Sequence, residues 1–333
     1  MSDDKKRCGR KNVKMRILVI GETLKTRHKE QILDVARKYG AKVCFAGTES
    51  EVPEEFAEPD VIYGFGMQIA KTQKSLKWLC VPSAGVDYLM KPGVFANEDC
   101  ILSNSSGAYG VSISEHMIAV SLTMMRRLTE FFEETRSSQW GRPRPQRSLW
   151  GSRITVLGTG DIGQCFARRA KAFEPDRIIG INRSGARPDP VFDRVVSVDA
   201  LDEILPETDL LAMSLPDTPE TRGILTRERL WSLPEGAFVV NVGRGSAIDE
   251  EALADCLEAG HLAGAALDVF QKEPLPKESR LWKTKGMLIT PHVAGNLTLE
   301  YTLDKNVAMF CEDLVNFAEG KPLKYGVDRT KGY

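Results

Sequence analysis

Three residues of this 333-residue chain have types and settings suited to work on a carbonyl beside a carboxylate. Arg244 stands between Gly243 and Gly245, after an apolar run. Its planar guanidinium can grip a carboxylate through two parallel hydrogen bonds. His292 follows Thr290-Pro291 after another apolar run. An imidazole that titrates near neutrality serves as general acid in a reduction and as general base in an oxidation. Glu273 precedes Pro274, and a carboxylate there can accept the second imidazole N–H and favour the charged ring. Each also has a plainer reading: a capping arginine, a core histidine, a solvated loop carboxylate beside Lys272. A fourth feature is Gly158-Thr159-Gly160-Asp161-Ile162-Gly163, a GxGxxG directly after the strand-like RITVL and before the helical QCFARRAKAF. That context is what dinucleotide binding requires: a tight turn, close backbone approach to pyrophosphate, and a helix N-terminus facing the phosphates. The carboxylate that would hold the adenosine ribose is expected about 20 residues past the glycines. Asn182-Arg183-Ser184 stand there instead. Arg183 can pair with a 2′-phosphate and Ser184 can donate to it. We therefore expect NADP(H) to be preferred, with NAD(H) also open to the site; otherwise Arg183 is a solvated surface cation.

The elements that must position these groups follow from the apolar pattern. Short apolar runs alternate with helix-length segments, as in a parallel sheet covered on both faces. Strands are expected at 15–20, 42–46, 61–63, 78–82 and 100–103, with a helix at 26–39. One long helix is expected from Ile113 to about Ser137. The Pro-rich WGRPRPQRS at 140–148 cannot continue it and reads as a domain junction or an extended arm. A second series has strands at 153–157, 178–181, 195–198, 210–215, 237–242, 262–269 and 287–290. It has a helix at 249–259 and a last one at about 298–318. Length suggests roughly two domains. With 42% hydrophobic and 27% charged residues the chain is an ordinary globular one. Its net charge of −1 offers no broad field for nucleic acid or an anionic membrane. No apolar run reaches the length of a spanning helix. The opening MSDDKKRCGRKNVK reads as a polar tail rather than a secretory leader. Seven cysteines are scattered with no CxxC, which excludes zinc spacing and suggests thiols in a reducing, cytoplasmic setting. No metal is expected.

Three segments behind the glycine loop carry a family resemblance: Asn241-Val-Gly-Arg-Gly245, Leu267-Asp-Val-Phe270 through Glu273-Pro274-Leu275, and Thr290-Pro-His-Val-Ala-Gly295. With Leu215-Pro-Asp-Thr218 and Glu220-Thr221-Arg222-Gly223 they resemble the D-2-hydroxyacid dehydrogenase family over about residues 15–325. The resemblance implies an α/β fold of two Rossmann-like domains: a flavodoxin-like catalytic domain (15–110 plus 294–333) with an NAD(P)-binding Rossmann domain (111–293) inserted, the active site in the cleft, and residues 1–14 as a tail. It implies that Arg244 orients the substrate carboxylate, His292 donates the proton and Glu273 keeps His292 charged. Ala84 and Gly85, in Ser83-Ala-Gly-Val-Asp87, would bind substrate through backbone N–H groups, with Asp87 capping the next turn. Asp268 would bind the nicotinamide carboxamide. Leu215, Pro216, Thr221, Val242 and Gly243 would complete the cofactor wall with Gly158, Gly160, Asp161, Ile162, Gly163, Asn182, Arg183 and Ser184. Tyr109 lies where it could line the cleft, while His116 reads as structural. A homodimer is implied, with Trp140 and Trp150 in the arm either at the interface or reaching the partner's site. The expected function is NADP(H)-dependent reduction of a small 2-oxo acid. The alternatives are a nucleotide-sensing, corepressor-like binding protein and a phosphoglycerate dehydrogenase-like enzyme.

Overall fold

A computed structural model describes residues 15–186 and 189–329; the expected tail with Cys8 falls outside them. The described chain forms two compact units, one taking in residues up to Ser106 and from Leu303 onward, the other Gly107–Thr302.

The first unit holds β1 (Arg16–Ile20), β2 (Lys42–Ala46), β3 (Val61–Tyr63), β4 (Trp78–Cys80) and β5 (Ile101–Ser103). They form a parallel sheet in the order β2-β1-β3-β4-β5, the flavodoxin-like arrangement. Helices α1 (Thr26–Lys38) and α2 (Met67–Thr72) are its crossovers. β1, β3 and β4 are buried almost throughout, which explains their unbroken apolar sequences. The last helix lies largely in this unit, and its Phe310 ring stacks on Tyr63 at 4.6 Å and tilts against Trp78 at 5.2 Å. The turn after Ser83 differs from expectation. Val86, not Asp87, is the residue before its short 3₁₀ turn, and the turn closes through Leu89 N–H to the Val86 carbonyl with no side-chain cap.

The second unit contains α3 (Gly110–Met125), α4 (Leu128–Arg136), β6 (Arg153–Leu157), α5 (Asp161–Lys171), β7 (Arg177–Asn182), β8 (Arg194–Ser197), α6 (Leu201–Ile204), β9 (Leu210–Met213), α7 (Arg227–Ser232), β10 (Phe238–Asn241), α8 (Glu250–Glu258), β11 (Gly264–Leu267) and β12 (Met287–Ile289). Helix α9 (Glu300–Ala318) follows. The seven strands run parallel in the order β12-β11-β10-β9-β6-β7-β8, a Rossmann sheet with one further strand at its edge. Strand order reverses at β6, between β9 and β7. The core is built from β9, β10 and β11 with Leu201, Leu205, Leu230 and Leu253 from the covering helices.

The expected long helix is two. Arg127 takes left-handed backbone angles (φ 56°, ψ 34°) between α3 and α4, and the last turn of α3 closes through Arg126 N–H to Leu122 and Arg127 N–H to Met124. The Pro-rich segment is an arm rather than a junction. It returns along α4, where Arg144 pairs with Glu130 and Glu134 and Arg147 N–H donates to the Met125 carbonyl. On it Trp140 is fully exposed and Trp150 is 70% exposed. Among the described residues no helix is long and apolar enough to cross a membrane. The six described cysteines are free, five of them buried; burial pushes Cys80 up to about 12.

Candidate active site

The glycine loop leaves β6 at the point where strand order reverses. Gly158 is left-handed (φ 103°), and a Cβ there would lie 2.9 Å from the Ser214 carbonyl oxygen at the end of β9. A Cβ on Gly163 would lie 2.0 Å from the Gly158 carbonyl oxygen. Gly160 meets nothing within 4 Å. The outer glycines are therefore demanded by the protein's own packing, while the middle one faces open space. That is the place where a pyrophosphate would approach backbone. Gly160 is also the residue before α5 and offers its first turn no side-chain cap, as anion binding at a helix N-terminus requires. Asp161 and Ile162 open that helix. The Asp161 carboxylate packs on Gly110, whose Cβ would lie 2.5 Å from Oδ2, so Asp161 faces the N-terminus of α3 and complements its dipole. These residues fit a dinucleotide.

Past the end of β7, Asn182 is committed to the fold. Its Nδ2 donates to Thr159 Oγ1 and to the Ala186 carbonyl, both at 2.8 Å, and its Oδ1 accepts from Ser184 N–H at 3.1 Å and Gly185 N–H at 2.7 Å. It ties the loop after β7 to the glycine loop, and this holds the exposed Arg183 and Ser184 at the rim. Arg183 lies near the turn Thr218–Thr221. Glu220 there is held below its usual range mainly by the Thr218 hydroxyl, with Arg183 adding to the effect. Thr221 shapes this turn, its Oγ1 accepting from Thr218 N–H at 2.9 Å and donating to the Pro216 carbonyl at 2.7 Å. Leu215 is half-buried and Pro216 exposed.

Arg244 sits on a loop wedged between two strand ends. A Cβ on Gly243 would lie 2.5 Å from Leu215 N, and one on Gly245 would lie 1.9 Å from the Phe270 carbonyl carbon. Only glycines allow so close a passage. Asn241, which the sequence reading did not single out, brackets this loop. Its Oδ1 accepts from Gly243 N–H at 3.0 Å and its Nδ2 donates to the Arg244 carbonyl at 2.9 Å. Its amide is buried (1% exposed), and the available signal was a lone polar residue inside the apolar run AFVVNV. Val242 lies in the same loop and is buried. Arg244 Nη1 donates to the Gly243 carbonyl at 2.9 Å.

His292 and Glu273 meet. His292 Nδ1 lies 2.7 Å from Glu273 Oε2, and Glu273 Oε1 accepts from Phe270 N–H at 2.9 Å. Glu273 is thus fixed at both oxygens, and its backbone anchor is the residue against which Gly245 packs. His292 has left-handed backbone (φ 54°). For a non-glycine residue this conformation costs on the order of 1–3 kcal/mol and needs support from its surroundings. Asp268, 3% exposed, gives that support. Its carbonyl accepts from His292 N–H at 2.8 Å. Its Oδ1 accepts from Thr290 Oγ1 at 2.6 Å and Val293 N–H at 2.9 Å, and its Oδ2 accepts from Ala294 N–H at 3.0 Å. Tyr109 is buried, with Gly295 against its ring. In the first unit, the loop with Ala84 and Gly85 is pinned by its carbonyls: Asn104 Nδ2 donates to Ala84 at 2.7 Å and Ser83 Oγ to Gly85 at 3.0 Å.

Comparison with known proteins supplies the lineage. Residues 118–294 match the family model "D-isomer specific 2-hydroxyacid dehydrogenase, NAD binding domain". A D-isomer specific 2-hydroxyacid dehydrogenase family protein from Aeromonas salmonicida is 31% identical, with a TM-score of 0.84 over 95% of this chain and 99% of that one. The NADPH-dependent glyoxylate/hydroxypyruvate reductase of Sinorhizobium meliloti, solved with NADP and sulfate, is 25% identical, with a TM-score of 0.78 over 96% of this chain and all of that one. D-3-phosphoglycerate dehydrogenase of Archaeoglobus fulgidus is 31% identical over 78% of this chain, which spans only 49% of that longer protein. A Rossmann unit with this glycine loop and a matching family model over more than half its length place the chain in the D-isomer specific 2-hydroxyacid dehydrogenase family, NAD(P)-dependent oxidoreductases acting on CH–OH donors.

Proposed function

We propose that this chain reduces a small 2-oxo acid to the D-hydroxy acid with NADPH, and that His292 is the proton donor. The observation that carries the proposal is the 2.7 Å contact between His292 Nδ1 and a Glu273 carboxylate that is itself tied to backbone. A carboxylate on one ring nitrogen stabilises the imidazolium and leaves Nε2 as the atom that hands its proton to the developing alkoxide. The Nε2–H donor aimed at that oxygen also counters the negative charge growing on it. Arg244, on its glycine-hemmed loop, grips the substrate carboxylate and turns the carbonyl toward Nε2. For the loop of Ala84 and Gly85 we propose backbone N–H donation to a carboxylate, in keeping with its small side chains. NADPH, when bound, supplies the hydride. Preference for the 2′-phosphate rests on Arg183 and Ser184 at the rim, the absence of a carboxylate at that position, and the NADP-bound reductase among the similar structures.

The test is His292→Asn, which keeps a polar group near the position of Nδ1 but has no titratable proton and no atom at the position of Nε2. The proposal predicts that kcat with a 2-oxo acid and NADPH falls by about a hundredfold to ten-thousandfold while NADPH affinity stays within about twofold. A variant turning over within a few-fold of the parent would overturn it.

A further inference from the structure

His116 reads as structural from its sequence setting, yet it reaches the loop that carries His292. It lies on α3, and its Nε2 is 3.2 Å from Thr290 Oγ1. Thr290 Oγ1 is 2.6 Å from Asp268 Oδ1 and is the donor there, because the carboxylate only accepts. The hydroxyl's remaining capacity is as an acceptor, so His116 Nε2 carries the hydrogen of this second bond. Asp268 then holds the amides of Val293 and Ala294 through its carboxylate and that of His292 through its carbonyl. A single chain of hydrogen bonds therefore runs from His116 through Thr290 and Asp268 to the three residues that set the left-handed backbone at His292. Burial pushes the His116 imidazole down from its ordinary range, with Asp268 pulling against it.

We infer that His116 is a positioning residue for the proton donor: by donating to Thr290 it orients the hydroxyl onto Asp268 and so keeps the His292 loop in its strained form. The inference rests on the reading of His292 given above. Its chemistry is specific, because what is needed at position 116 is an N–H donor at the end of a side chain of this reach. Glutamine offers one from its amide at the same number of bonds from Cα, and leucine offers none. A loop misplaced by about 1 Å costs on the order of a hundredfold in rate when the reacting group rides on it.

Four variants test this: His116→Leu, His116→Gln, Thr290→Val and the double His116→Leu/Thr290→Val, with His292→Asn as reference. The substrates are hydroxypyruvate and NADPH. His116→Leu is expected to lower kcat about tenfold or more, with KM for hydroxypyruvate and affinity for NADPH within about twofold. Thr290→Val should do the same, the double variant should be no worse than either single one because one chain is cut twice, and His116→Gln should recover most of the loss. Amide hydrogen exchange over residues 290–295 gives an activity-free readout. It should speed up about tenfold in His116→Leu and return toward the parent in His116→Gln. Unchanged exchange in His116→Leu, losses that add in the double variant, or no recovery with glutamine would each overturn the inference. Should His292→Asn keep its turnover, the proton-donor reading fails instead, and the exchange result still decides whether His116 holds the loop.

Discussion

His292 illustrates how much a single residue depends on its neighbours here. Its ring is about half exposed, yet one nitrogen, its amide and the two amides after it are all engaged. Glu273 is held at both ends in the same way, so the pair is set in place before any ligand arrives, as electrostatic preorganisation requires. Arg183, just past the end of β7, is the residue on which the proposed cofactor choice turns. Arg183→Ala is predicted to lower the ratio of kcat/KM for NADPH to that for NADH by about tenfold to a hundredfold, the worth of one or two hydrogen bonds to a charged group. An unchanged ratio would make Arg183 a surface cation. The types of Arg244, Glu273 and His292 were legible in the sequence, because glycines flank the first and prolines adjoin the other two. So was the pairing of Glu273 with His292, whereas the Asn241 and Asp268 contacts that hold their loops were not. His116 and Thr290 stand 174 positions apart, and no local pattern announces that pairing. Position alone marks Asn182 as a cofactor contact; its bonds to backbone and to Thr159 are not visible in the sequence.

Elements place these residues, and the glycines show which constraints come from the protein and which from a ligand. Gly163→Ala puts a Cβ 2.0 Å from a carbonyl oxygen, whereas Gly160→Ala meets nothing within 4 Å. The first should lower Tm and weaken nucleotide binding together. The second should leave Tm within about 2 °C, a change worth about 1 kcal/mol in a chain of this size, and still weaken NADPH binding. Calorimetry paired with nucleotide titration checks both, and a Gly160→Ala protein that binds normally would remove the pyrophosphate from that position. Every strand of both sheets overlaps an apolar run visible in the sequence, because mostly buried strands leave little room for polar residues, though β7 and β8 each start one residue early, at Arg177 and Arg194. What the sequence concealed was the break at Arg127. The apolar spacing runs on from α3 into α4, and nothing in Arg126-Arg127 signals a left-handed residue.

At the scale of the molecule, the parallel order of each sheet follows from alternating strands and helices, while which strands lie at the edges is a matter of connection. The base of the larger sheet carries a clasp. Asp209, at the foot of β9, accepts from the Arg153 backbone N–H at 2.8 Å and from its guanidinium at 2.7 and 2.9 Å. The Arg153 guanidinium holds the Asp209 carboxyl below its ordinary value of 3.8, with desolvation opposing. A carboxyl depressed in the folded state adds stability that is full above its unfolded value and is lost as the pH falls through the folded one. Asp209→Asn should therefore destabilise the protein at neutral pH by about 1 kcal/mol, after allowance for solvent screening of a pair that is one-third exposed. The gap between the two melting curves should close as the pH drops below 3.8. A gap that persists in acid would assign the loss to packing.

The proposed reductase site rests on Arg244, Glu273 and His292. The most direct measurement is the initial rate of NADPH and NADH oxidation by the purified chain across glyoxylate, pyruvate, hydroxypyruvate and longer 2-oxo acids. The prediction is turnover of at least one acid with NADPH well ahead of NADH. Tight NADPH binding with no turnover of any acid would contradict it and mark the chain as a nucleotide-sensing binding protein.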